Sequence, residues 1–537
     1  MRRHCLGLIF VAGAVLSAAR LWASDTPVVA LDTGQIRGTE DNGVAVYRGI
    51  PYAAPPLGDL RWRPPQPSAK WKGVRDATEF GASCPQSPNT PTFLAGPLKK
   101  IDENCLFLNV WTPSKSDGAR RPVMVWIHGG GFFTGSGSEA EFDGTPYADR
   151  GIILVTINYR IGRLGFFAHP ALTKESKNGL VGNYGYMDVI AALEWVRRNI
   201  GAFGGDPSNV TLFGESAGAM AIDAMLASPL AAGLFQKAII ESGPVGPTGP
   251  RPLAAAESLG TAFAERHGIK GDGPDTVVAL RALPAETIAP MKPAADDTRD
   301  IMAAASPMID GKLLPVAPID AIAEGKIPKI PVIIGANSLE SRVWLFGGPM
   351  PTTISIVPAT ADQIFGRLGD DRESVLTAYR KVYGSDPERL AAAIAADRFM
   401  GVGTRLEARF LAKAGAPVFV YRFAGLPTPV RGATWGAPHG TEIYYVFGTL
   451  EKMPGVGPRM TDEDRALSRT MIDYWASFAK TGEPVGRGLA IWPAYHPDNE
   501  RLMEFTDHGS AAVAWPNTEG LSLLEAHLEK LGRQPKP

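Results

Sequence analysis

Apolar residues in this chain gather in short unbroken runs at 123–127, 152–157, 210–213, 238–240, 332–334 and 418–423. An unbroken apolar strand, unlike an alternating one, fits a sheet covered on both faces. Helical spacing lies between these runs. Val189, Leu193 and Val196 share one face of 187–200, and Leu467, Met471, Tyr474 and Phe478 form one stripe along 461–480. Thr461 and Asp464 are placed for a capping box at the start of the second stretch, and Gly482 lies just past its end. Strands alternating with helices predict a doubly wound, mostly parallel α/β sheet with helices on both faces. Sites in such sheets open beyond the carboxyl ends of the strands.

Two regions depart from this rhythm. Residues 33–62 are glycine-rich and alternating, which predicts a small antiparallel sheet. Residues 243–250 read as a turn-rich loop. The alanine- and proline-rich stretch after it predicts short helices forming a cap, about 250–323, within a single domain spanning 24–537.

The run 210–213 leads into Gly214-Glu215-Ser216-Ala217-Gly218, and a helix-prone stretch follows. Strand, tight turn and helix put a serine at an apex. The glycines suit a turn that strains the backbone and leaves no room for side chains. The helix N-terminus behind the hydroxyl favours developing negative charge. Taken alone, the pentapeptide also fits a plain surface turn. A second glycine segment changes that reading, because the run 123–127 leads into His128-Gly129-Gly130-Gly131-Phe132. Such a bare backbone can aim its N–H groups freely. Acyl transfer needs donors where a carbonyl oxygen becomes an oxyanion, each worth about 3 kcal/mol.

Composition adds little and excludes some partners. The chain has 537 residues, 45% hydrophobic and 20% charged, as in an ordinary globular protein. A formal net charge of -1 gives no reason to expect nucleic acid or a charged membrane surface as partner. Arg2 and Arg3 precede an apolar stretch and then small residues, which predicts a signal peptide over 1–23, cleaved after Ala23 or else Ala19, and an exported protein, periplasmic or secreted. The arginine pair hints at twin-arginine export. The apolar stretch is short for a membrane span, and no other segment reads as transmembrane, so no stable membrane insertion is expected. The mature chain keeps Cys84 and Cys105. In an oxidising compartment they can close a loop worth about 3 kcal/mol in the chain-entropy model; two unpaired thiols are the other reading. Their separation does not resemble a zinc site.

Other segments carry a resemblance. They are Gly49-Ile50-Pro51-Tyr52-Ala53 with Pro55-Pro56 and Arg61-Trp62; Glu103-Asn104-Cys105-Leu106-Phe107-Leu108-Asn109; Trp126 to Phe132; Asn158-Tyr159-Arg160; Gly182-Asn183-Tyr184-Gly185; Ala202-Phe203-Gly204-Gly205-Asp206-Pro207; and Trp492-Pro493-Ala494-Tyr495. With the serine motif, and in this order, they resemble the type-B carboxylesterases of the α/β-hydrolase fold over nearly the whole mature chain. The resemblance implies Ser216 as nucleophile and Gly130, Gly131 and Ala217 as oxyanion donors. It implies Glu340, in Asn337-Ser338-Leu339-Glu340-Ser341, as the acid; Leu339 and Ser341 depart from the Asp and Gly usual there. It implies His439, in Pro438-His439-Gly440-Thr441-Glu442, as the base, Ser242 as a hydrogen-bonding support, and a Cys84–Cys105 disulfide.

The order Ser216, Glu340, His439 is that of α/β-hydrolases. Serine needs a base to take its proton, and a carboxylate must orient the imidazole. His439 lies in a Gly/Pro-flanked loop after the 418–423 run, His128 is expected to shape the glycine loop, and His169, His267, His496, His508 and His527 read as surface or structural. Glu215 is expected to turn away from the serine, supporting the turn or lining a substrate pocket. The expected partner is a small-molecule ester, with no metal or organic cofactor.

The family's cholinesterases hold a cation on a tryptophan between the first two cysteines. The segment 85–104 has no tryptophan, which argues against a cation cage. Arg342 and Arg431, near the acid and the base in sequence, are candidates to bind an acidic acyl part. The tricarballylate esters of fumonisin, which bacterial relatives cleave, are one case. Two rival functions remain at this point, amide or thioester hydrolysis by the same site, and non-catalytic adhesion or recognition on this fold.

Overall fold

Eleven strands hydrogen-bond into one sheet in the computed structural model, which describes residues 28–87, 98, 100–114, 118–243, 249–289, 306–346, 350–357 and 359–533. The expected signal peptide, most of the 243–250 loop and part of the cap lie outside the described residues. In chain order the strands are β1 (Thr39–Asp41), β2 (Val44–Pro51), β3 (Phe107–Pro113), β4 (Arg121–Ile127), β5 (Ile153–Ile157), β6 (Gly205–Glu215), β7 (Lys237–Glu241), β8 (Val332–Asn337), β9 (Val418–Phe423), β10 (Arg501–Thr506) and β11 (Gly509–Ala514). Across the sheet they run β11-β10-β9-β8-β7-β6-β4-β5-β3-β2-β1. Neighbours from β10 through β5 are parallel. The edge pairings are antiparallel.

The unbroken apolar runs form the interior strands because alternate residues feed two cores. Val123, Val125 and Ile127 of β4 join one core with Val189, Leu193 and Val196 of the helix Tyr184–Asn199. Met124 and Trp126 join the opposite core with Leu467, Met471, Tyr474 and Phe478 of the helix Asp462–Thr481. Both sides of the strand are dry, so neither can be polar. Each such large side chain contributes roughly 1.5–3 kcal/mol through burial. The second helix starts and stops as its sequence predicts. Asp464 N donates to Thr461 Oγ1, Thr461 N donates back to Asp464 Oδ2 at 2.8 Å, and Gly482 closes the end at φ 85°.

The antiparallel pairing expected over 33–62 forms, but as part of two sheets. Residues 35–37 do sit in a small sheet with 28–30 and 74–76. β1 and β2, however, extend the main sheet through β3. β3 carries a buried polar residue, Asn109, which interrupts its apolar pattern. The Asn109 amide donates to Gly137 O and Thr156 Oγ1 and accepts from Gly49 N.

Two helical blocks cover the sheet. The first, in the expected cap, includes Leu253–Arg266, Pro274–Arg281, Ala285–Ile288 and Pro318–Ala323. Arg61 ties it to the body, its guanidinium donating to Arg281 O and Leu283 O while pairing with Glu103. The second block lies between β8 and β9 and includes Ala361–Gly366, Arg372–Tyr383, Pro387–Ala396 and Val402–Lys413. The sequence reading did not anticipate it. Cys84 and Cys105 are joined as a disulfide across 21 positions. Among the described residues, no helix is long and apolar enough to cross a membrane.

Candidate active site

The turn after β6 is built by steric exclusion. Ser216 has φ 56° and ψ −120°, and the helix Ala217–Ala227 begins at the next residue. A non-glycine residue in such a conformation costs roughly 1–3 kcal/mol and persists only where its surroundings hold it. Ser216 N donates to Glu241 O and Ser216 O accepts from Met220 N, both at 2.9 Å. A Cβ on Gly218 would stand 1.9 Å from Ile127 O, and one on Gly214 2.7 Å from the same oxygen. The motif's glycines are there because the turn is pressed against the end of β4.

The glycine loop after β4 crosses above the serine. A Cβ on Gly129 would lie 3.2 Å from Ser216 Cβ. Gly130 and Gly131 take φ values of 101° and 61°, open to glycine and strained for other residues. His128 anchors this loop: Tyr159 Oη donates to His128 O at 2.8 Å and the two rings stack 4.4 Å apart. Burial pushes the His128 imidazole down to about 4, so it is neutral near pH 7.

His439 stands at the other wall. Its Nδ1 lies 2.5 Å from Glu340 Oε2, and its Nε2 lies 3.1 Å from Glu215 Oε1. Glu340 is fixed in turn, because its second oxygen accepts from Asn337 N at 2.5 Å. Ser216, His439 and Glu215 line one cavity together with Gly130 and Gly131. Burial alone would lower the pKa of His439. The facing Glu215 and Glu340 carboxylates outweigh it and raise it above the ordinary value. Burial raises Glu215, against the pull of the imidazole.

Ser242 reaches this cluster through Glu442. Its hydroxyl donates to Glu442 Oε1 at 2.9 Å, and the Asn337 amide donates to the other Glu442 oxygen. Burial and the nearby Glu340 hold Glu442 above the usual carboxylate range. Sequence reasoning assigned Glu442 no role, although it lies three positions after His439. It also missed the contact between Glu215 and the ring of His439.

Ser216 stands where two cavities meet. The larger, about 700 Å³, includes Gly131, Ala217 and Tyr186 in its wall. The smaller, about 190 Å³, includes Glu139, Phe142, Glu215 and His439. Gly131, Ser216 and Phe399 belong to both. Neither Arg342 nor Arg431 is among the residues lining these two cavities. Arg431 is held by acids, with Nε 3.1 Å from Asp507 and the guanidinium also facing Asp464 and Glu463. Arg342 lies in the strand Leu339–Leu345, paired with Thr352–Ser355.

Residues 25–521 match the carboxylesterase family. The chain is 37% identical over 496 residues to the fumonisin B1 esterase of Sphingopyxis macrogoltabida, covering 89% of this chain and 85% of that protein. It is 37% identical over 480 residues to the para-nitrobenzyl esterase of Bacillus subtilis, covering 89% and 94%. The solved structure of a thermophilic PNB esterase superposes with a TM-score of 0.78 at 34% identity, over 93% of this chain and 100% of the other. A strained strand-to-helix serine that shares a cavity with a carboxylate-bound histidine thus lies in a chain that belongs to the carboxylesterase family, an ester hydrolase of the α/β-hydrolase fold.

Proposed function

We propose that Ser216 is the nucleophile, His439 its base and Glu340 the carboxylate that orients the base. The observation that carries this reading is the bond from His439 Nδ1 to Glu340, in a histidine that lines the same cavity as Ser216. Ser216 Oγ attacks the ester carbonyl carbon and its proton passes to Nε2. The backbone N–H groups of Gly130, Gly131 and Ala217 hold the oxyanion. The C–O bond to the alcohol then breaks, and Nε2 returns the proton to the leaving oxygen. Water, deprotonated by the same nitrogen, attacks the acyl-enzyme and releases the acid and the free serine. Glu442 and Ser242 act as positioning residues through Asn337, which bonds Glu442 and, by its backbone, Glu340.

The finer reading is an ester whose acyl part bears free carboxylates, such as the tricarballylate esters of fumonisin; the relative named fumonisin B1 esterase supports it. Export fits the Cys84–Cys105 disulfide and the composition of the first residues. A fluorophosphonate probe tests the nucleophile. Intact mass and peptide mapping are expected to find one adduct, on Ser216, and a folded sample that takes no label would favour a non-catalytic role.

Glu215 has a pH signature. The ester reaction needs neutral His439, so kcat/KM rises as pH climbs through the His439 pKa. Glu215 raises that pKa, and Glu215→Gln lowers it. The acid limb of the profile is expected to move to lower pH by about one unit, the usual scale for losing an opposite charge within 4–6 Å. An unmoved limb would mean that Glu215 does not act on the base.

A further inference from the structure

The larger cavity carries a charge pattern that the ester chemistry at Ser216 does not require. Arg251, Arg367 and Arg398 line it, and no aspartate or glutamate does among the described residues. Its other walls are mainly apolar, including Phe132, Leu314 and Ile394. The three arginines come from separate elements. Arg251 opens the short strand Arg251–Pro252, Arg367 follows the helix Ala361–Gly366, and Arg398 lies in the turn Asp397–Gly401.

Several other arginines that leave solvent meet carboxylates. Arg160 pairs with Asp188, Arg281 with Glu175, Arg405 with Glu500 and Arg409 with Glu525. Among the described residues, no ion pair to a carboxylate engages Arg251, Arg367 or Arg398. Arg251 is held below its ordinary range by burial alone, and Arg398 by burial and then by the charge of Arg367. Two guanidinium groups close enough to disfavour one another, in a wall that has no acid among the described residues, are complementary to an anion.

The position of the histidine decides which half of the ester meets this wall. The leaving oxygen must take its proton from His439, and His439 lines the smaller cavity and not the larger. The alcohol therefore departs on the side of the smaller cavity. The acyl group extends past Ala217 into the larger one, toward the arginines.

We propose that Arg251, Arg367 and Arg398 form a carboxylate-binding wall of the acyl cavity, selecting esters whose acyl part carries two free carboxylates over neutral esters of the same skeleton. The assignment rests on the reading of Ser216 and His439 as the reacting pair. Guanidinium binds carboxylate through paired N–H donors, and a partly dry wall strengthens that contact. Two carboxylates answer three positive charges better than one, because they also relieve the repulsion between Arg367 and Arg398.

The test compares the p-nitrophenyl ester of tricarballylic acid, with two free carboxylates, against its dimethyl ester. The wild-type protein is expected to prefer the diacid, and rising salt is expected to shrink the preference. Arg251→Gln, Arg367→Gln and Arg398→Gln are each expected to lower kcat/KM for the diacid by about 10- to 100-fold, chiefly through KM. Turnover of the dimethyl ester, expected to be unchanged, is the control for folding. Arg398→Glu is expected to move the preference toward the dimethyl ester. Equal losses on both esters, or a wild type that hydrolyses the dimethyl ester as well as the diacid, overturn the arginine assignment and leave Ser216 as nucleophile. If neither ester turns over and fluorophosphonate does not label Ser216, the hydrolase reading fails first and the wall falls with it.

Discussion

Ser216→Ala is expected to lower ester turnover by about 10⁵- to 10⁶-fold, the scale seen when a serine nucleophile is removed from such a site. The loss is confined to chemistry. Ser216 is fixed by backbone bonds to Glu241 and Met220, which alanine retains. Alanine is no more strained than serine at φ 56°. The glycine loop stays in place, since its supports are His128 and Tyr159. Far-UV circular dichroism and the melting temperature are therefore expected to match wild type. The residual rate above the uncatalysed reaction would measure what the oxyanion donors contribute by themselves. A purified variant with wild-type kcat would remove Ser216 from the mechanism.

Glu340→Gln is expected to cost about 10³- to 10⁴-fold in kcat with little change in stability, as when the acid of a serine triad becomes an amide. Glutamine keeps the volume, but its NH₂ group cannot accept the proton of His439 Nδ1 while its oxygen also serves Asn337 N. The imidazole then loses both its orientation and the charge that stabilises its protonated form. The fold has little to lose, because the Glu340 charge disfavours the ionised forms of the buried Glu215 and Glu442. Removing one charge relaxes that repulsion. Single-turnover kinetics beside thermal melting separate the two effects. A variant that melts far below wild type would make Glu340 a structural residue as well.

The features legible in the sequence are those with a local cause. Interior strands announce themselves because both faces are dry, so 123–127, 238–240, 332–334 and 418–423 sit inside β4, β7, β8 and β9. The capped helix at 462–481 is legible because Thr461, Asp464 and Gly482 act within a few residues of themselves. β10 and β11 were missed: the first mixes charged and apolar positions, and the second is made mostly of small residues. Ser216, Glu340 and His439 stand out because each sits in a short motif at the end of a strand.

Partners that meet only in three dimensions were not legible. Glu215 reaches the His439 ring from a segment more than 200 residues away. Arg342 and Arg431 are near Glu340 and His439 along the chain, and neither lines the two cavities at Ser216. Arg367 and Arg398 sit in the helical block between β8 and β9, where no local signal distinguishes them from Arg372 or Arg380. Only the packing of that block over Ser216 makes them special.

The two cores flanking β4 also set a length. Phe213 pairs with Trp126 and Gly214 with Ile127, and the donor loop begins one residue later. A slip of one residue would carry Trp126 into the pocket built for Val125 and shift the loop by about 3.3 Å along the strand. The hydrophobic register thus works as a ruler between the hydroxyl and the amides above it, so selection for a well-packed interior also calibrates the reacting centre.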